Sequence, residues 1–227
     1  MADNTTPHLS DVYDSQILNT IPYYESFHNE TINLVKAYKG EPQVWLDTGA
    51  GTGTLISRCF NLFDKTLFIL ADPSIKMLDI ARKKLEAFNS ERYKILEPTA
   101  SQDIVMEGFK PDVITAIQAH HYLSEGERKK ATQRCYDLMK KGGLYITFEN
   151  IRPFTDDGIN IGKKIWSSFQ LSKGKAEEDV IKHIERFGTE YFPITIEQHL
   201  GLYRECGFET VELLWYSNMQ AGFYCIK

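Results

Sequence analysis

The sequence lacks the features typical of membrane and nucleic-acid-binding proteins. No apolar run approaches the roughly 20 residues that span a bilayer, and no basic stretch precedes an apolar one at the N-terminus, as in a secretory signal. The 26 basic residues are scattered among 31 acidic ones, for a net charge of −5, so the chain has no concentrated basic face for a polyanion. We expect a cytoplasmic protein with no nucleic-acid or membrane partner, and a homodimer is compatible with the sequence.

Metal and disulfide signatures are also missing. The four cysteines are far apart and form no C-x-x-C pair: Cys59, Cys135, Cys206 and Cys225. Adjacent residues of a chain point in different directions, so His120 and His121 do not by themselves predict a metal site, and no Cys or carboxylate follows them at ligand spacing. We therefore expect reduced thiols, ordinary for buried cysteines, and no bound metal.

Apolar strands and amphipathic helices alternate along the chain. The predicted strands cover 44–46, 67–70, 93–96, 113–117, 144–148, 210–216 and 222–226, and the main helices cover 54–62, 74–88 and 125–139. This alternation predicts an α/β, doubly wound sheet with helices on both faces. The last two strands are joined by only five residues, which requires antiparallel pairing, so we expect a seven-stranded mixed sheet whose last strand is antiparallel.

Two segments lie outside this alternation. Residues 1–40 contain a polar start, which we expect to be frayed over about the first ten residues, and then two helices that would cover the domain formed by 41–227. Residues 150–190 contain charged, helix-prone sequence with spaced aromatics, and we expect this insertion to form a helical lid. Several aromatics of both segments could line the lid, although aromatics at helical spacing more often belong to a core.

A glycine-rich turn follows the first predicted strand. Its sequence is Asp47-Thr48-Gly49-Ala50-Gly51-Thr52-Gly53, and such a turn lets backbone approach a ligand closely. A dinucleotide fingerprint requires glycine at the sixth position, where this chain has Thr54. The carboxylate of Asp47 suits a ligand that carries an ammonium or sulfonium group better than a phosphate. The pattern favours a methyl donor over a nucleotide, although such a turn alone is often only a tight turn.

An acidic residue ends the second predicted strand. Asp72 lies 23 residues after Gly49, where a carboxylate can accept hydrogen bonds from both hydroxyls of a ribose. A lone aspartate at a strand end is often only a helix cap. In this order and inside an alternating pattern, however, the turn and Asp72 together predict an adenosine-containing cofactor.

These residues resemble the class I S-adenosylmethionine-dependent methyltransferases, whose first motif is similar to residues 44–53. Residues 72–78 resemble the family's acidic residue and the Met-Leu pair that packs on adenine, and residues 140–144 resemble its turn into the fifth strand. The resemblance covers about 40–150. It implies a Rossmann-like methyltransferase fold, a transferase activity and S-adenosyl-L-methionine as cofactor.

A narrower resemblance is to the carboxy-S-adenosylmethionine synthase branch and the small-molecule methyltransferases near it, through residues 21–24, 195–199 and 206–215. The two resemblances imply these cofactor-binding residues: Tyr24, Asp47, Gly49, Ala50, Gly51, Asp72, Pro73, Met77 and Ile117.

Two positions depart from the patterns of these families. Thr99 stands where the wider family has an acid for the adenine amino group, and Ala100, Ser101 and Gln102 follow it, so we expect a neutral side chain or the backbone to contact adenine. The synthase branch also has an arginine that pairs with the extra carboxylate. Here, simple counting gives Ile184, and only a gapped alignment gives Arg186.

Substrate groups are expected after the fourth and fifth strands, because open α/β sheets bind ligands at the carboxyl ends of their strands. We predict His121 as a general base, since the histidine pKa lies near working pH. The predicted substrate residues are Gln118, His120, Glu149, Arg152 and Trp166. Each of the two histidines is also compatible with a role in the cavity wall, and positioning alone can supply much of the catalysis of methyl transfer.

The sequence thus predicts an S-adenosylmethionine-dependent methyltransferase that acts on a small-molecule acceptor. One alternative is an enzyme like carboxy-S-adenosylmethionine synthase. Another is a non-enzymatic sensor that binds the cofactor, since fold does not fix function. A nicotinamide oxidoreductase is disfavoured by Thr54.

Overall fold

The computed structural model describes residues 3–108 and 110–227. Its strands are β1 (Val44–Thr48), β2 (Leu67–Ala71), β3 (Tyr93–Ile95), β4 (Val113–Ile117), β5 (Leu144–Asn150), β6 (Thr210–Ser217) and β7 (Gln220–Ile226). Its α-helices are α1 (Tyr13–Thr20), α2 (Tyr24–Tyr38), α3 (Thr54–Cys59), α4 (Ile75–Leu85), α5 (Glu125–Leu138), α6 (Asp156–Ser172), α7 (Glu177–Glu185) and α8 (Ile196–Glu205).

The seven strands form one sheet in the order β3-β2-β1-β4-β5-β7-β6. Strands β1 to β5 pair in parallel, and β7 runs antiparallel to both of its neighbours, β5 and β6. The predicted mixed sheet with an antiparallel last strand is confirmed. The chain order reverses between β1 and β4, so the carboxyl ends of these two strands flank a crevice in which open α/β sheets bind ligands.

Two buried apolar clusters on the sheet explain why this arrangement forms. One contains Phe27, Trp45 and Phe148 and joins the N-terminal helices to the sheet, and the other contains Tyr145, Tyr203 and Phe223. Strands β4 and β5 are buried along almost their whole length, as expected for parallel strands covered on both faces.

Local side chains and glycine define several helix ends. Ser124 and Thr195 form capping boxes with Glu127 and Gln198, which satisfy free N–H groups at the starts of α5 and α8. Gly142, in the turn between α5 and β5, has a φ of 70°, a left-handed conformation that glycine adopts without steric cost.

The insertion packs against the N-terminal helices. Trp166 of α6 is fully buried and donates a hydrogen bond from its indole N–H to the carbonyl oxygen of Thr20 (2.7 Å). Asn218, in the β6–β7 turn, donates to the carbonyl oxygen of Gly162 (3.3 Å). The helices before β1 and the insertion after β5 therefore form one covering layer. The division of the chain at residue 40 stays a prediction, and residues 1 and 2 of the predicted cover lie outside the described residues.

The four cysteines are free and buried. Among residues 3–108 and 110–227, no group of three or more His, Cys, Asp or Glu side chains is placed to hold a metal ion. Within the same residues, no helix combines the length and apolar character needed to cross a membrane.

Candidate active site

The glycine-rich turn after β1 has a backbone that only glycine adopts readily. Gly49, Gly51 and Gly53 have φ values of +72°, +54° and +72°. A Cβ on Gly49 would lie 2.6 Å from the Cβ of Ala119, whereas a Cβ on Gly51 would have no neighbour within 4 Å. Gly49 therefore permits close packing against the loop after β4, and Gly51 leaves open space beside the turn.

Asp72 connects this turn to the end of β2. Its Oδ2 accepts a hydrogen bond from the N–H of Gly51 (2.9 Å), and its Oδ1 accepts one from the N–H of Ser74 (2.8 Å). Burial raises the pKa of Asp72, and the two N–H donors partly offset that effect. A carboxylate has about four acceptor sites, so the Asp72 oxygens keep capacity for further donors from a ligand.

Asp47 lies inside β1 and is 2% exposed. Its Oδ1 accepts a hydrogen bond from the hydroxyl of Thr115 on β4 (2.6 Å). Burial raises the pKa of Asp47 to about 7, with a further contribution from the charge of Asp72 and an opposing one from the Thr115 hydrogen bond. A cationic group at this carboxylate would lower the pKa again.

Two adjoining cavities meet at the turn. The inner cavity, about 300 Å³, is lined by residues from the N-terminal segment, the turns after β1 and β2, and the loops after β3 and β4. The side cavity, about 30 Å³, is lined by Tyr24, His28, Asp47 and neighbouring residues. Tyr13, Gly49, Gly51 and Ile117 line both cavities, so one elongated ligand could occupy both.

The loop after β4 is held by a buried carboxylate. Glu149 of β5 is 1% exposed and accepts hydrogen bonds from the N–H groups of His120 (3.1 Å) and His121 (3.0 Å), and from the hydroxyl of Thr147 (2.8 Å). Burial alone would raise the pKa of Glu149, but the hydrogen bond from His121 and the nearby histidines lower it to about 2. An ionised Glu149 thus determines the course of this loop.

The two histidines of the loop have different surroundings. Nδ1 of His121 lies 2.6 Å from Oε2 of Glu149 and its Nε2 lies 3.2 Å from Nδ2 of Asn150, and this ring lines neither cavity. His120 lines the inner cavity, and its buried Nε2 has no hydrogen-bond partner. Burial lowers the pKa of His120 to about 4, so the ring is neutral near pH 7. Of the two loop histidines, His120 is therefore the one that belongs to the wall of the inner cavity.

Gln118 is another wall residue of the inner cavity. Its φ is +55°, a left-handed conformation that is uncommon outside glycine. Its N–H donates to the carbonyl oxygen of Phe148 (2.7 Å), which holds this conformation. Strained residues of this kind cluster at ligand sites.

The expectation that the first ten residues are frayed is wrong for those that the structure describes. Within the N-terminal segment, residues 3–9, the first four residues (3–6) form part of the wall of the inner cavity. The hydroxyl of Ser74 donates to the carbonyl oxygen of Asp3 (2.9 Å), and Nη2 of Arg186 donates to the carbonyl oxygen of Thr5 (2.8 Å). The polar composition did not reveal these partners, because they belong to distant parts of the chain.

On its far side, the N-terminal segment borders an outer cavity of about 940 Å³, which is also lined by residues of α7 such as Lys182 and His183. Asn4, Thr5 and Thr6 line both this outer cavity and the inner one. Arg186 faces the outer cavity, where its Nε donates to Glu190 (2.6 Å).

The structure brings most of the predicted cofactor and substrate residues together. These predicted residues line the inner or side cavity: Tyr24, Asp47, Gly49, Ala50, Gly51, Asp72, Pro73, Met77, Ala100, Ile117, Gln118 and His120.

Thr99 is not among the residues that line either cavity; its N–H donates to the carbonyl oxygen of Asp72 (3.1 Å). Glu149 is buried behind the cavity wall, Arg152 is half-exposed beside Asp156, and Trp166 is in the core. Tyr122, a candidate substrate residue after β4, and Tyr13, a candidate lid aromatic, also line the inner cavity. Leu123 lines it too, although its sequence neighbourhood shows only loop patterning.

Residues 46–145 match the family model of the methyltransferase domain. Over 220 residues, the chain is 23% identical to carboxy-S-adenosyl-L-methionine synthase of Staphylococcus epidermidis, which covers 95% of this chain and 92% of that protein. A similar relative in Yersinia pseudotuberculosis is 26% identical and covers 94% of this chain and 89% of that protein.

Among solved structures, an S-adenosylmethionine-dependent methyltransferase of Thermotoga maritima is similar to this chain, with a TM-score of 0.62 and 16% identity. That match covers 98% of each chain. Human N-acetylserotonin methyltransferase bound to its methyl donor has a TM-score of 0.59 and 15% identity over 96% of this chain and 58% of its own. The chain spans little more than half the length of several such enzymes.

The domain match, the sheet order and the cavity at the carboxyl ends of the strands define a Rossmann-like fold with a methyltransferase domain. The chain thus contains a methyltransferase domain and is similar over almost its whole length to S-adenosylmethionine-dependent enzymes of this fold.

Proposed function

We propose that this enzyme binds S-adenosylmethionine across the inner and side cavities and methylates a small-molecule acceptor held near His120. When bound, the cofactor supplies an electrophilic methyl group on a sulfonium. The observation that carries the proposal is that Asp72, at the end of β2, and His120, after β4, line one cavity roofed by the N-terminal segment.

The residues present fit this cofactor. The Asp72 oxygens keep acceptor capacity for ribose hydroxyls, and the buried carboxylate of Asp47 suits an ammonium group. The open side of Gly51 leaves room for a ligand against the backbone.

His120 is the group that we propose to meet the acceptor. A neutral imidazole with a free Nε2 can accept a proton from a hydroxyl, amine or thiol, or can hold that group in position. The catalytic role predicted for His121 stays a prediction. Both of its ring nitrogens already have neighbours, and this favours a positioning role through Glu149.

A small acceptor is supported by the volume of the inner cavity, about 300 Å³, and by the likeness to human N-acetylserotonin methyltransferase. Which acceptor the chain uses depends on the shape of the cavity. A cytoplasmic location and a homodimer stay predictions.

A second candidate is synthesis of a carboxylated cofactor, because the curated relatives that cover almost the whole chain are carboxy-S-adenosylmethionine synthases. The extra carboxylate of that product would call for a cation. Of the described residues that line the inner and side cavities, none is Lys or Arg, and both histidines there are held neutral by burial, with pKa values of about 4 and 3. Arg186 lies on the other side of Thr5. We therefore favour methyl transfer.

Native mass spectrometry of the purified protein tests both candidates. We expect bound S-adenosylmethionine or S-adenosylhomocysteine, and weaker binding in Asp72→Ala. A bound mass of the carboxylated cofactor would support the synthase instead, and no binding at millimolar cofactor would refute both.

The role of His120 is tested by steady-state kinetics with a panel of hydroxyl, amine and thiol acceptors at saturating cofactor. As a general base, His120→Asn should lower kcat by about 10²- to 10⁴-fold. Because the pKa of His120 is about 4, its base form is fully present above pH 5 and is lost as the pH falls through 4, so this group predicts a flat kcat between pH 6 and 8. An unchanged kcat in His120→Asn would exclude this role.

A further inference from the structure

Arg128 is a buried cation to which the site described above gives no role. It is 2% exposed and is the fourth residue of α5. Burial of a charge costs free energy, and the positive end of the helix dipole also disfavours a cation near the start of a helix. A guanidinium in such a place must be stabilised by specific hydrogen bonds.

These hydrogen bonds go to backbone carbonyl oxygens of two other segments. Nε of Arg128 donates to the carbonyl oxygen of His120 (3.1 Å), and its Nη2 donates to that of Leu123 (3.1 Å). Nη2 also donates to the carbonyl oxygen of Phe192. His120 and Leu123 belong to the loop after β4, whereas Phe192 belongs to residues 189–194, which follow α7. One planar side chain therefore joins the loop to this second segment.

The loop after β4 lies between two opposite charges, those of Arg128 and Glu149. Glu149 accepts hydrogen bonds from the N–H groups of His120 and His121, while Arg128 donates to the carbonyl oxygen of His120. The peptide group between the two histidines thus has its carbonyl directed at a cation and its N–H directed at an anion. Hydrogen bonds to charged groups are about twice as strong as neutral ones, so this arrangement holds the loop firmly.

The loop held in this way forms one side of the inner cavity, where His120 and Tyr122 are wall residues. It also makes a backbone contact with the 189–194 segment, because the N–H of Phe192 donates to the carbonyl oxygen of His121 (2.7 Å). Arg128 and this backbone bond together fix the wall to the chain that follows the insertion.

We propose that Arg128 is a positioning residue, which holds the loop after β4 against the 189–194 segment and so fixes the acceptor side of the inner cavity. The inference rests on the proposed function, since that function gives this wall to the acceptor. Arg128 is not among the residues that line the inner or the side cavity. It therefore acts through the loop and not by touching the cofactor or the acceptor.

The test uses two variants of this residue. Arg128→Lys keeps the positive charge opposite Glu149 but removes the planar set of donors that reaches several carbonyls at once. Arg128→Gln removes the charge and keeps a neutral N–H donor group. The matched control is Arg134→Lys on the same helix, because Nε of Arg134 also donates to a backbone carbonyl, that of Ile104 (2.7 Å), outside the loop. Near-ultraviolet circular dichroism establishes that each variant is folded.

Each protein is measured in three ways: hydrogen–deuterium exchange by mass spectrometry, titration calorimetry with S-adenosylhomocysteine, and kcat with the panel of acceptors at saturating S-adenosylmethionine. In both Arg128 variants, residues 118–123 and 189–194 should exchange about tenfold faster, as the loss of one or two hydrogen bonds predicts. The kcat per bound cofactor should fall by about 10- to 100-fold, because a small displacement of a positioned group has that effect. The Kd of S-adenosylhomocysteine should stay within about threefold of the wild type, since sites on separate strands couple weakly. Arg134→Lys should match the wild type in kcat and in the exchange of both segments.

The outcomes separate this inference from the proposed function. If Arg128 serves only the stability of the fold, β5 will exchange faster as well, and kcat will fall only in parallel with the amount of bound cofactor. That result refutes the positioning role, as does unchanged exchange of the loop or a wild-type kcat in both variants, and in each case cofactor binding stands. If the wild type binds no cofactor or methylates no acceptor, the proposed function is refuted, and the positioning role with it.

Discussion

Cofactor binding should release a proton from Asp47. In the free protein, burial raises the pKa of this carboxyl to about 7. The proposed ligand carries an ammonium group, which favours the ionised carboxylate and lowers the pKa in the complex. Binding below pH 7 must therefore remove a proton from Asp47. The affinity must decrease as the pH is lowered, because a smaller fraction of the free protein then has an ionised Asp47.

The magnitude follows from the pKa. At pH 6, a group of pKa about 7 is roughly 90% protonated, so binding should release about 0.9 proton per ligand and be roughly tenfold weaker than at pH 8 on account of Asp47. A free α-amino group, with a pKa of about 7.7 to 8.0, is almost fully protonated at pH 6 and adds little to this release.

The assay is titration calorimetry with S-adenosylhomocysteine at pH 6 in two buffers of different ionisation enthalpy, since the difference in heat gives the number of protons released. Asp47→Asn is the informative variant, because its amide oxygen can still accept the hydrogen bond from Thr115. We expect about 0.9 fewer protons released by this variant than by the wild type. Asp79→Asn, half-exposed on α4, serves as the control and should behave like the wild type.

Two results would refute the reasoning. The first is binding of the wild type at pH 6 without proton release, which would mean that Asp47 is not protonated in the free protein or does not meet a cation. The second is full release in Asp47→Asn, which would assign the proton to another group, such as Asp72, whose pKa burial also raises.

Three further predictions concern the architecture of the site. Gly49→Ala should lower the free energy of unfolding by about 2 kcal/mol, because the new Cβ would lie 2.6 Å from the Cβ of Ala119. The control is Gly126→Ala in helix α5, which has open space around it and should not destabilise the protein. Equal effects of the two substitutions in denaturant titrations would contradict this prediction. A chain without residues 2–9 should release S-adenosylhomocysteine roughly 30-fold faster in stopped-flow experiments, because the loss includes the hydrogen bonds of Asp3 with Ser74 and of Thr5 with Arg186 at the cavity. An unchanged rate would exclude such a closure. The fold depresses the pKa of Glu149 to about 2, so its contribution to stability is complete above the unfolded pKa of about 4.5 and is lost as the pH falls towards 2. Between pH 5 and pH 3, the free energy of unfolding of the wild type should fall by about 2 kcal/mol more than that of Glu149→Gln. Parallel losses would show that the carboxylate is not ionised in the folded protein.

Local patterns were sufficient to predict most of the sheet and many of the residues that line the inner and side cavities. The glycine spacing after β1 and the aspartate after β2 belong to short strand-to-turn segments whose geometry depends on neighbouring residues, so Gly49, Gly51 and Asp72 could be placed from the chain alone. The five residues between the last two strands required their antiparallel pairing for the same reason.

The acceptor side of the site depended on contacts between distant segments. His120 and His121 are adjacent and chemically identical, so the sequence could not distinguish them. Glu149, on the next strand of the sheet, holds the ring of His121 in the interior, and His120 lines the inner cavity. Trp166 and Arg152 follow the same strand but lie in the core and at the surface, because α6 packs against α1.

The sequence by itself determined the fold class and the kind of cofactor, since both follow from periodicity and from motifs a few residues long. The tertiary structure alone decided that residues 3–6 form a wall of the inner cavity and that Arg186 lies behind that wall. Each of these features is a relation between side chains and backbone that folding brings together, which no local pattern specifies.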